Sequence, residues 1–437
     1  MNNEIKKDIN INNLTDEIKL IDIAKTLDDY DDNQILKLCS ALTDEKLALI
    51  LEQTDETSQQ RLISFLTDEK IIKIFSFMQK DDIVDVLGVL SVGKTKNLIN
   101  KMKEGDRNTI KELLGYKDDT AGGIMTTEYI SLNGKLTVQN ALKKIKELSP
   151  KTELIDTIFV LNNEKKLSGI VDLRNILISE DNKTLNDIAD TNFKYVEPEL
   201  DQEDVANIAS KYDLNVIPVV DKKMSMLGII TIDDIMDVIS EEQTEDVLKM
   251  GGIAKVETLD SKFFESLKLR FPWLLVNLIT AFIASLTVKA FENTISQVVA
   301  LSAIMSIVTG MGGNAGTQTV SIIIRNIAMG NVEFKDAWPL LKKEILLGLV
   351  NGIGIGLITG IVVYFIYGNV YLGVIILLAI IGNLILAGIS GILIPLILDK
   401  FHIDPALSSS IFLTTVTDTL GFFIFLSLAK LFLPLLV

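Results

Sequence analysis

The sequence predicts a two-part chain. An acidic soluble half holds short helices followed by a duplicated strand–helix unit. An apolar half holds five membrane-spanning helices. Three observations predict this. Of the 42 Lys/Arg and 58 Asp/Glu residues, only seven of each lie from Phe271 onwards, so 35 and 51 lie in the first 270 residues and carry the whole net charge of −16. A segment at 158–177 returns at 217–236, an offset of 59 residues. Five apolar runs, roughly 272–291, 295–323, 338–366, 371–398 and 407–435, are each long enough to cross a bilayer as a helix.

A length of 437 residues exceeds what one ordinary domain needs. The acidity of the first part argues against nucleic acid as a partner, because phosphate binding needs a basic face. It suits cations; the competing reading is that acidity only keeps the domain soluble. Cys39 is the only cysteine and His402 the only histidine, which excludes an intrachain disulfide and a Cys/His zinc site within one chain. The start, MNNEIKKDIN, has no apolar signal-peptide core, so the first 270 residues are expected in the cytoplasm.

Residues 14–120 read as short amphipathic helices, with apolar residues at helical spacing in QILKLCSAL, RLISFL, KIIKIFSFM and DIVDVLGVL. Thr43-Asp44-Glu45 and Thr67-Asp68-Glu69 each precede such a stretch and are helix-start signals. Similar short units in series predict a small helical superhelix.

From about Met125 strands alternate with helices. IFVLNNEKKLSGIVDLRNIL aligns with IPVVDKKMSMLGIITIDDIM, placing Gly169 on Gly228, and a helix precedes each copy. This duplicated order resembles a pair of cystathionine-β-synthase (CBS) domains across about 125–248. The resemblance implies a module that senses a nucleotide or an ion. Residues 241–270 follow, polar and helical in period with a break at Gly251-Gly252, and read as the connection to the membrane part.

Orientation follows from the basic residues. Lys262, Lys268 and Arg270 precede the first run, Arg325, Lys335, Lys342 and Lys343 lie between the second and third, and Lys400 lies between the fourth and fifth. The other side has Lys289 and an uncharged YGNVY loop. The rich side is that of the soluble half, so five spans put the C-terminus outside, with Lys430 snorkelling near the outer end.

Asp418, in TTVTDTLGFF, lies about eleven residues into the last run, deeper than any other acidic residue of the apolar half; Glu344, Asp399 and Asp404 lie near the cytoplasmic ends. A carboxylate in hydrocarbon costs at least about 2.5 kcal/mol and normally faces a bundle interior or water. The bland alternative is a neutral packing Asp held by Thr414, Thr415 or Thr417. No basic residue is placed to neutralise it, which favours a mobile cation. Mg²⁺ suits oxygen ligands and retains its water; soft metals would want sulfur or imidazole. In the second run TGMGGNAGTQT (309–319) interrupts an apolar helix with small residues and amides. Such a stretch allows close helix approach or exposes carbonyls to a cavity; Asn314 and Gln318 favour a pore-lining role over packing alone. Gly352, Gly356 and Gly360 read as packing glycines. In the soluble half Asp81 and Asp85 share a helical face, as do Glu242 and Asp246, and Asp233-Asp234 and Glu245 add to the charge. Such faces either stay solvated or recruit cations.

The motifs DDTAGGIMTTEYI (118–130), TIDDIMDVISEEQTEDVLKMGG (231–252), GMGGNAGTQT (310–319) and DPALSSSIFLTTVTDTLGFF (404–423) resemble those of the MgtE family of magnesium channels across nearly the whole chain. The resemblance implies a multidomain fold. An all-α superhelical N domain (1–124) precedes an α/β tandem CBS pair (125–188 and 189–248). A connecting plug helix (249–270) and a five-helix α-helical transmembrane domain (271–437) follow. It implies a homodimer in the inner membrane of a bacterium, with the pore on the two-fold axis. Asp418 matches the pore aspartate, and Gly312, Gly313, Asn314, Gln318, Ser410 and Thr414 are the expected pore-lining residues; Ser410 stands where some members carry an amide. Regulatory Mg²⁺ would bind Asp81 and Asp85 in the N domain, Glu203, Asp213 and Asp234 in the CBS pair, and Glu242, Glu245 and Asp246 in the plug. Falling cytoplasmic Mg²⁺ would then let these acidic faces repel and open the pore. ATP at the CBS pair is a property of some members.

No phosphate-loop G-x-x-x-x-G-K-[ST] occurs, so no ATP-driven step is implied and the chain reads as a passive transporter, not an enzyme. Two rivals stand: a Co²⁺ or Mn²⁺ transporter regulated by Mg²⁺, and a membrane-anchored nucleotide sensor that conducts nothing.

Overall fold

The computed structural model describes residues 17–149, 154–253 and 263–436. The N-terminal MNNEIKKDIN and the part of the connection at 254–262, Lys262 included, lie outside the described residues. The chain forms two compact units, divided between Ile239 and Ser240.

The first unit opens with α1 (Glu17–Ala24), α2 (Asp32–Ala41), α3 (Asp44–Glu52), α4 (Glu56–Ser64), α5 (Asp68–Phe75), α6 (Lys80–Gly88), α7 (Val92–Lys101) and α8 (Glu104–Leu113). Local chemistry starts them. The Thr43 and Thr67 hydroxyls accept from the Lys46 and Lys70 backbone N–H groups, and Asp31 forms a capping box with Gln34. α3 packs on α1 and α5, α5 on α7, and α6 on α4 and α8, which is superhelical stacking. Each helix is too short to hold itself in water. Buried Ile35, Leu47, Ile50, Leu51, Ile74 and Leu87 supply the stabilisation.

The same unit continues with β1 (Ser131–Asn133), α9 (Val138–Leu148), β2 (Thr157–Leu161), β3 (Leu167–Asp172), α10 (Leu173–Ile178), α11 (Leu185–Ile188), α12 (Gln202–Tyr212), β4 (Val216–Val220) and β5 (Met226–Thr231). The 59-residue repeat is reproduced pair by pair. Thr157 faces Asp172 and Val160 faces Gly169 in the β2–β3 ladder; Val216 faces Thr231 and Val219 faces Gly228 in the β4–β5 ladder. Both ladders slip register at the same place. The paired glycines have a steric reason. A Cβ at Gly228 would lie 2.6 Å from the Thr126 carbonyl oxygen, and one at Gly169 would lie 2.9 Å from the Ala189 side chain. Each copy thus admits, against its own glycine, the segment that precedes the other copy.

α13 (Ile232–Met250) runs unbroken past the boundary between the units, and α14 (Phe263–Ala290) follows the undescribed stretch. Within the expected plug helix (249–270), the described residues are the last two of α13, the Gly251-Gly252 break and Ile253, and the first turns of α14. The second unit is completed by α15 (Glu292–Gln297), α16 (Ala300–Ala328), α17 (Ala337–Tyr367), α18 (Val370–Lys400), α19 (Pro405–Leu431) and α20 (Leu433–Leu436). Among the described residues, four helical stretches are long and apolar enough to cross a membrane: Ser266–Ala290, Phe334–Tyr367, Val370–Lys400 and Pro405–Leu431. α16 spans 29 residues, about 43 Å of helix, yet falls outside this set by composition. The polar and small residues of 309–319 dilute its apolar character.

α17 and α18 meet along a row of glycines. Cβ atoms at Gly348, Gly352, Gly356 and Gly360 would lie 2.7–2.9 Å from atoms of α18, backbone atoms at three of the four. The packing expected of Gly352, Gly356 and Gly360 is the packing found. At one end of this hairpin the Lys400 ammonium lies 4.4 Å from the Phe334 ring centre and Lys342 lies 5.3 Å from that of Trp338. This is the aromatic and basic belt of a membrane interface.

Candidate functional site

The first candidate is on α19. Ser410, Thr414 and Asp418 are spaced by four and share one helical face. Thr414 is exposed in the single chain, and Ser410 and Asp418 are partly so. The threonines near Asp418 do not bond it. Thr414 donates to the Ser410 carbonyl (2.8 Å), Thr415 to Ile411 (2.7 Å) and Thr417 to Leu413 (3.0 Å), all within the helix. Among the described residues Asp418 has no hydrogen-bond or ion-pair partner. The packing alternative, an Asp satisfied by its threonines, is not the one adopted.

α16 divides its interrupted stretch between two faces. Asn314, Thr317 and Gln318 are exposed and Gly313 is half-open. Gly312, Gly316 and Thr319 are buried against the bundle. A Cβ on Gly312 would lie 2.1 Å from the Asn383 amide nitrogen, so this glycine is a packing notch closed by a side chain, not an open wall.

The second candidate is an acidic cluster in the first unit. The tertiary fold sets Asp81 and Asp234, far apart in sequence, in each other's electrostatic field, together with Asp82, Asp85, Glu52 and Glu128. Burial, the Asp234 charge and the Glu128 charge push the Asp81 carboxyl up to about 6, against a hydrogen bond from Thr126. Burial and Asp81 push Glu52 up to about 7. Burial and four neighbouring carboxylates push Asp82 up further still. One Asp81 carboxylate oxygen is buried with no hydrogen-bond partner. Burial also raises Asp234, although its carboxylate accepts from the Thr231 hydroxyl (2.5 Å). Lys80 pairs with Glu128 (2.9 Å) at the margin. Glu52, Asp82 and Glu128 were passed over by sequence reasoning; Asp82 stands in a DD pair, but Glu52 and Glu128 are lone acidic residues in their stretches. Among the described residues no three acidic side chains converge as a closed metal site. Glu203 and Asp213 fall at opposite ends of α12, Glu203 in its first turn and Asp213 as a left-handed C-cap with φ of 50°.

In the second unit the end of α13 carries Glu242, Glu245 and Asp246. Lys249, also passed over in the sequence, pairs with Glu245 (2.9 Å) and with Asp404 (2.6 Å), the N-cap of α19. Burial and the Asp404 charge push Asp246 up, with Lys249 and Arg325 acting the other way. Met250 packs with Val320, Ile324, Ala406 and Leu413 of α16 and α19.

A cavity of about 610 Å³ in the first unit is lined by Asp172, Asn175, Asp190, Lys194, Tyr212 and Asp213, among others. The Lys194 ammonium lies 4.4 Å from the Tyr212 ring centre.

Together these elements define a multi-pass membrane protein whose soluble unit carries a CBS pair. The family profile described as the MgtE divalent cation transporter matches residues 305–428, that of the MgtE intracellular N domain matches 18–119, and that of the CBS domain matches 121–180 and 185–241. The magnesium transporter MgtE of Enterococcus faecalis is 35% identical over 324 residues, covering 74% of this chain and 71% of that one. The magnesium transporter MgtE of Bacillus subtilis is 31% identical over 356 residues, covering 82% and 79%. That of Thermus thermophilus is 31% identical over 368 residues, covering 81% and 79%. Among solved structures, the cytosolic domain of the Mg²⁺ channel MgtE in complex with ATP superposes with a TM-score of 0.49 at 26% identity, covering 50% of this chain and 90% of that one. The chain belongs to the MgtE family.

Proposed function

We propose that this chain is a Mg²⁺ channel for passive uptake, closed by cytoplasmic Mg²⁺. The observation that carries the reading is Asp418: a carboxylate without partners among the described residues, on a membrane helix, in line with Thr414 and Ser410. Such a group needs a mobile cation or water. Oxygen donors suit a hard ion that keeps much of its hydration shell. A polar face on α19 and another on α16, both open in the single chain, suit a two-fold pair in which two Asp418 carboxylates face one hydrated ion. With the soluble unit in the cytoplasm, an inside-negative potential drives uptake; 100 mV supplies about 4.6 kcal/mol for a divalent ion.

The acidic cluster supports closure by Mg²⁺. Its carboxylates are crowded and part-buried, and one Asp81 oxygen is orphaned; these are donors that fit Mg²⁺. Asp81, Asp85 and Asp234, joined by Glu52 and Asp82, would hold it in the first unit. Glu242, Glu245 and Asp246 would do so at the end of α13, and Glu203 and Asp213 would add donors at the two ends of α12. Bound Mg²⁺ would supply charge neutralisation, and without it the faces repel. The cavity beside Tyr212 fits an adenine nucleotide, with the ring for the base, Asp172 and Asn175 for ribose hydroxyls, and Lys194 for phosphate.

The test is Mg²⁺ uptake into proteoliposomes by the full chain and by Asp418→Ala. Uptake by the parent and its loss in the variant are expected; equal uptake by both rejects the reading. Competition by Co²⁺ and Mn²⁺ in the same assay distinguishes a channel for those ions.

A further inference from the structure

We propose that Asn383 is a positioning residue for the ion path: its buried amide pins α16 and α19 to α18 and sets the rotation at which Asp418 is presented. The inference rests on the reading of Asp418 as the ion-binding carboxylate.

Asn383 lies near the middle of α18 and is fully buried. Its Nδ2 donates to the Val308 carbonyl of α16 at 2.8 Å. That partner fixes the sense of the amide, because an oxygen turned towards a carbonyl oxygen would be repelled. The other end, Oδ1, is buried and has no hydrogen-bond partner among the described residues. The group sits in a slot with two bare walls. A Cβ on Gly312 would lie 2.1 Å from Nδ2, and one on Gly421 of α19 would lie 2.9 Å from the same atom. Any side chain at either glycine would collide with the amide. On α18 next to Asn383, a Cβ on Gly382 would lie 3.3 Å from the Ile424 side chain, one turn beyond Gly421 on α19, so the two helices stay close beyond the slot.

The chemistry of the slot is not what packing alone selects. Leucine has nearly the shape of asparagine and leaves no orphaned oxygen in an apolar interior, where an unpaired acceptor is a liability. Interhelical hydrogen bonds in membranes add little to stability. An amide offers direction instead. One bond of fixed geometry sets the rotation of α16 at Val308, at the edge of the 309–319 stretch. The far side of the same planar group rests on Gly421. Asp418 lies three residues before Gly421, on the adjoining part of the helix surface. A turn of α19 at the slot therefore turns Asp418 with it.

The test uses the full chain in proteoliposomes. Asn383→Leu is expected to fold, with an unfolding midpoint in detergent equal to or above the parent's. Its apparent Mg²⁺ affinity is expected to fall about tenfold, as when a positioning partner of a metal ligand is lost, with the maximal rate within about twofold. Parent-like affinity overturns the proposal. Should the leucine variant not fold, Gly312→Ala combined with Asn383→Ala puts a methyl group into the vacated slot. The pair is expected to fold and to show the same loss; parent-like affinity in the pair shows that filling space is enough and overturns the proposal. Asp418→Asn is measured alongside. Unchanged uptake in that variant rejects the role of Asp418, and the positioning role with it, whatever the Asn383 variants do.

Discussion

The Lys249 ammonium lies 2.6 Å from the Asp404 carboxylate, so the last turn of α13 is tied by an ion pair to the residue that caps α19. Burial works against the Lys249 charge, yet its hydrogen bonds to the Asp404 and Glu245 carboxylates outweigh it and raise its pKa. α19 carries Asp418, so one charge pair links the end of the connecting helix to the helix of the candidate ion site. Lys249→Met would leave Glu245, Asp246 and Asp404 facing one another without their shared cation. The expected outcome is a looser α13 terminus, by about 1 kcal/mol for a pair of this exposure. Limited proteolysis near Gly251-Gly252 should run faster than in the parent, and inhibition of uptake should need more internal Mg²⁺.

The acidic cluster sets a pH dependence. The folded carboxyls of Asp81 and Glu52 stand at about 6 and about 7, above their ordinary values of 3.8 and 4.5. The folded state therefore holds more protons than the unfolded one. Their contribution is complete below about pH 4 and is lost as pH rises through 6 to 7. In chelator, the full chain in detergent should lose on the order of 2 kcal/mol of stability between pH 5 and pH 8, after solvent screening. Mg²⁺ should offset much of the loss at pH 8 and little at pH 5, because it binds only the deprotonated carboxylates. Thermal unfolding with and without Mg²⁺ at both pH values measures this.

Asp82 makes a sharper case. Burial and the charges of Asp81, Glu52, Asp85 and Asp234 all oppose its ionisation. Asp82→Asn should raise the unfolding temperature in chelator at pH 8 by several degrees, roughly 1 kcal/mol. The same change should shrink the stabilisation that Mg²⁺ adds. An unchanged response to Mg²⁺ would remove Asp82 from the cation-binding set.

The glycine row of α17 is a packing requirement. A Cβ at Gly352 would lie 2.7 Å from the Ile381 Cα. Gly352→Val should cost about 2–3 kcal/mol through overpacking, whereas Gly354→Ala, which meets nothing within 4 Å, should be neutral. Detergent unfolding of the two variants distinguishes a packed row from a merely flexible helix.

Local chemistry was legible in the sequence, and long-range convergence was not. Thr43 and Thr67 announced their helices because a cap acts within one turn. The 59-residue repeat announced two ladders of equal register because register follows side-chain alternation. Asp418 stood out because a charge amid apolar residues is costly at that depth. By contrast, Glu52, Asp82 and Glu128 join Asp81 through folding of separate helices and loops, and nothing in their spacing points to it. Asn383 lies in an otherwise apolar run, where one amide gives no periodic signal. Gly312 and Gly313 are neighbours in sequence yet face different surroundings, a distinction that helical rotation makes and a small-residue motif hides. α16 fell short on apolar composition because its chemistry and its length serve different ends.

The contact of α17 with α18 has a mechanical consequence. With glycine on one side and, at three of the four glycines, helix backbone on the other, there are few flexible side chains whose rearrangement could absorb a gradual slide. The next register that brings glycine opposite backbone lies a full four residues away, about 6 Å along the axis. Small displacements therefore meet a wall, and the pair behaves as a single strut. Rearrangement of the membrane unit, when it occurs, has to be taken up where helices meet through larger and softer side chains: around α14, which is exposed along most of its length, and along the seams of α19.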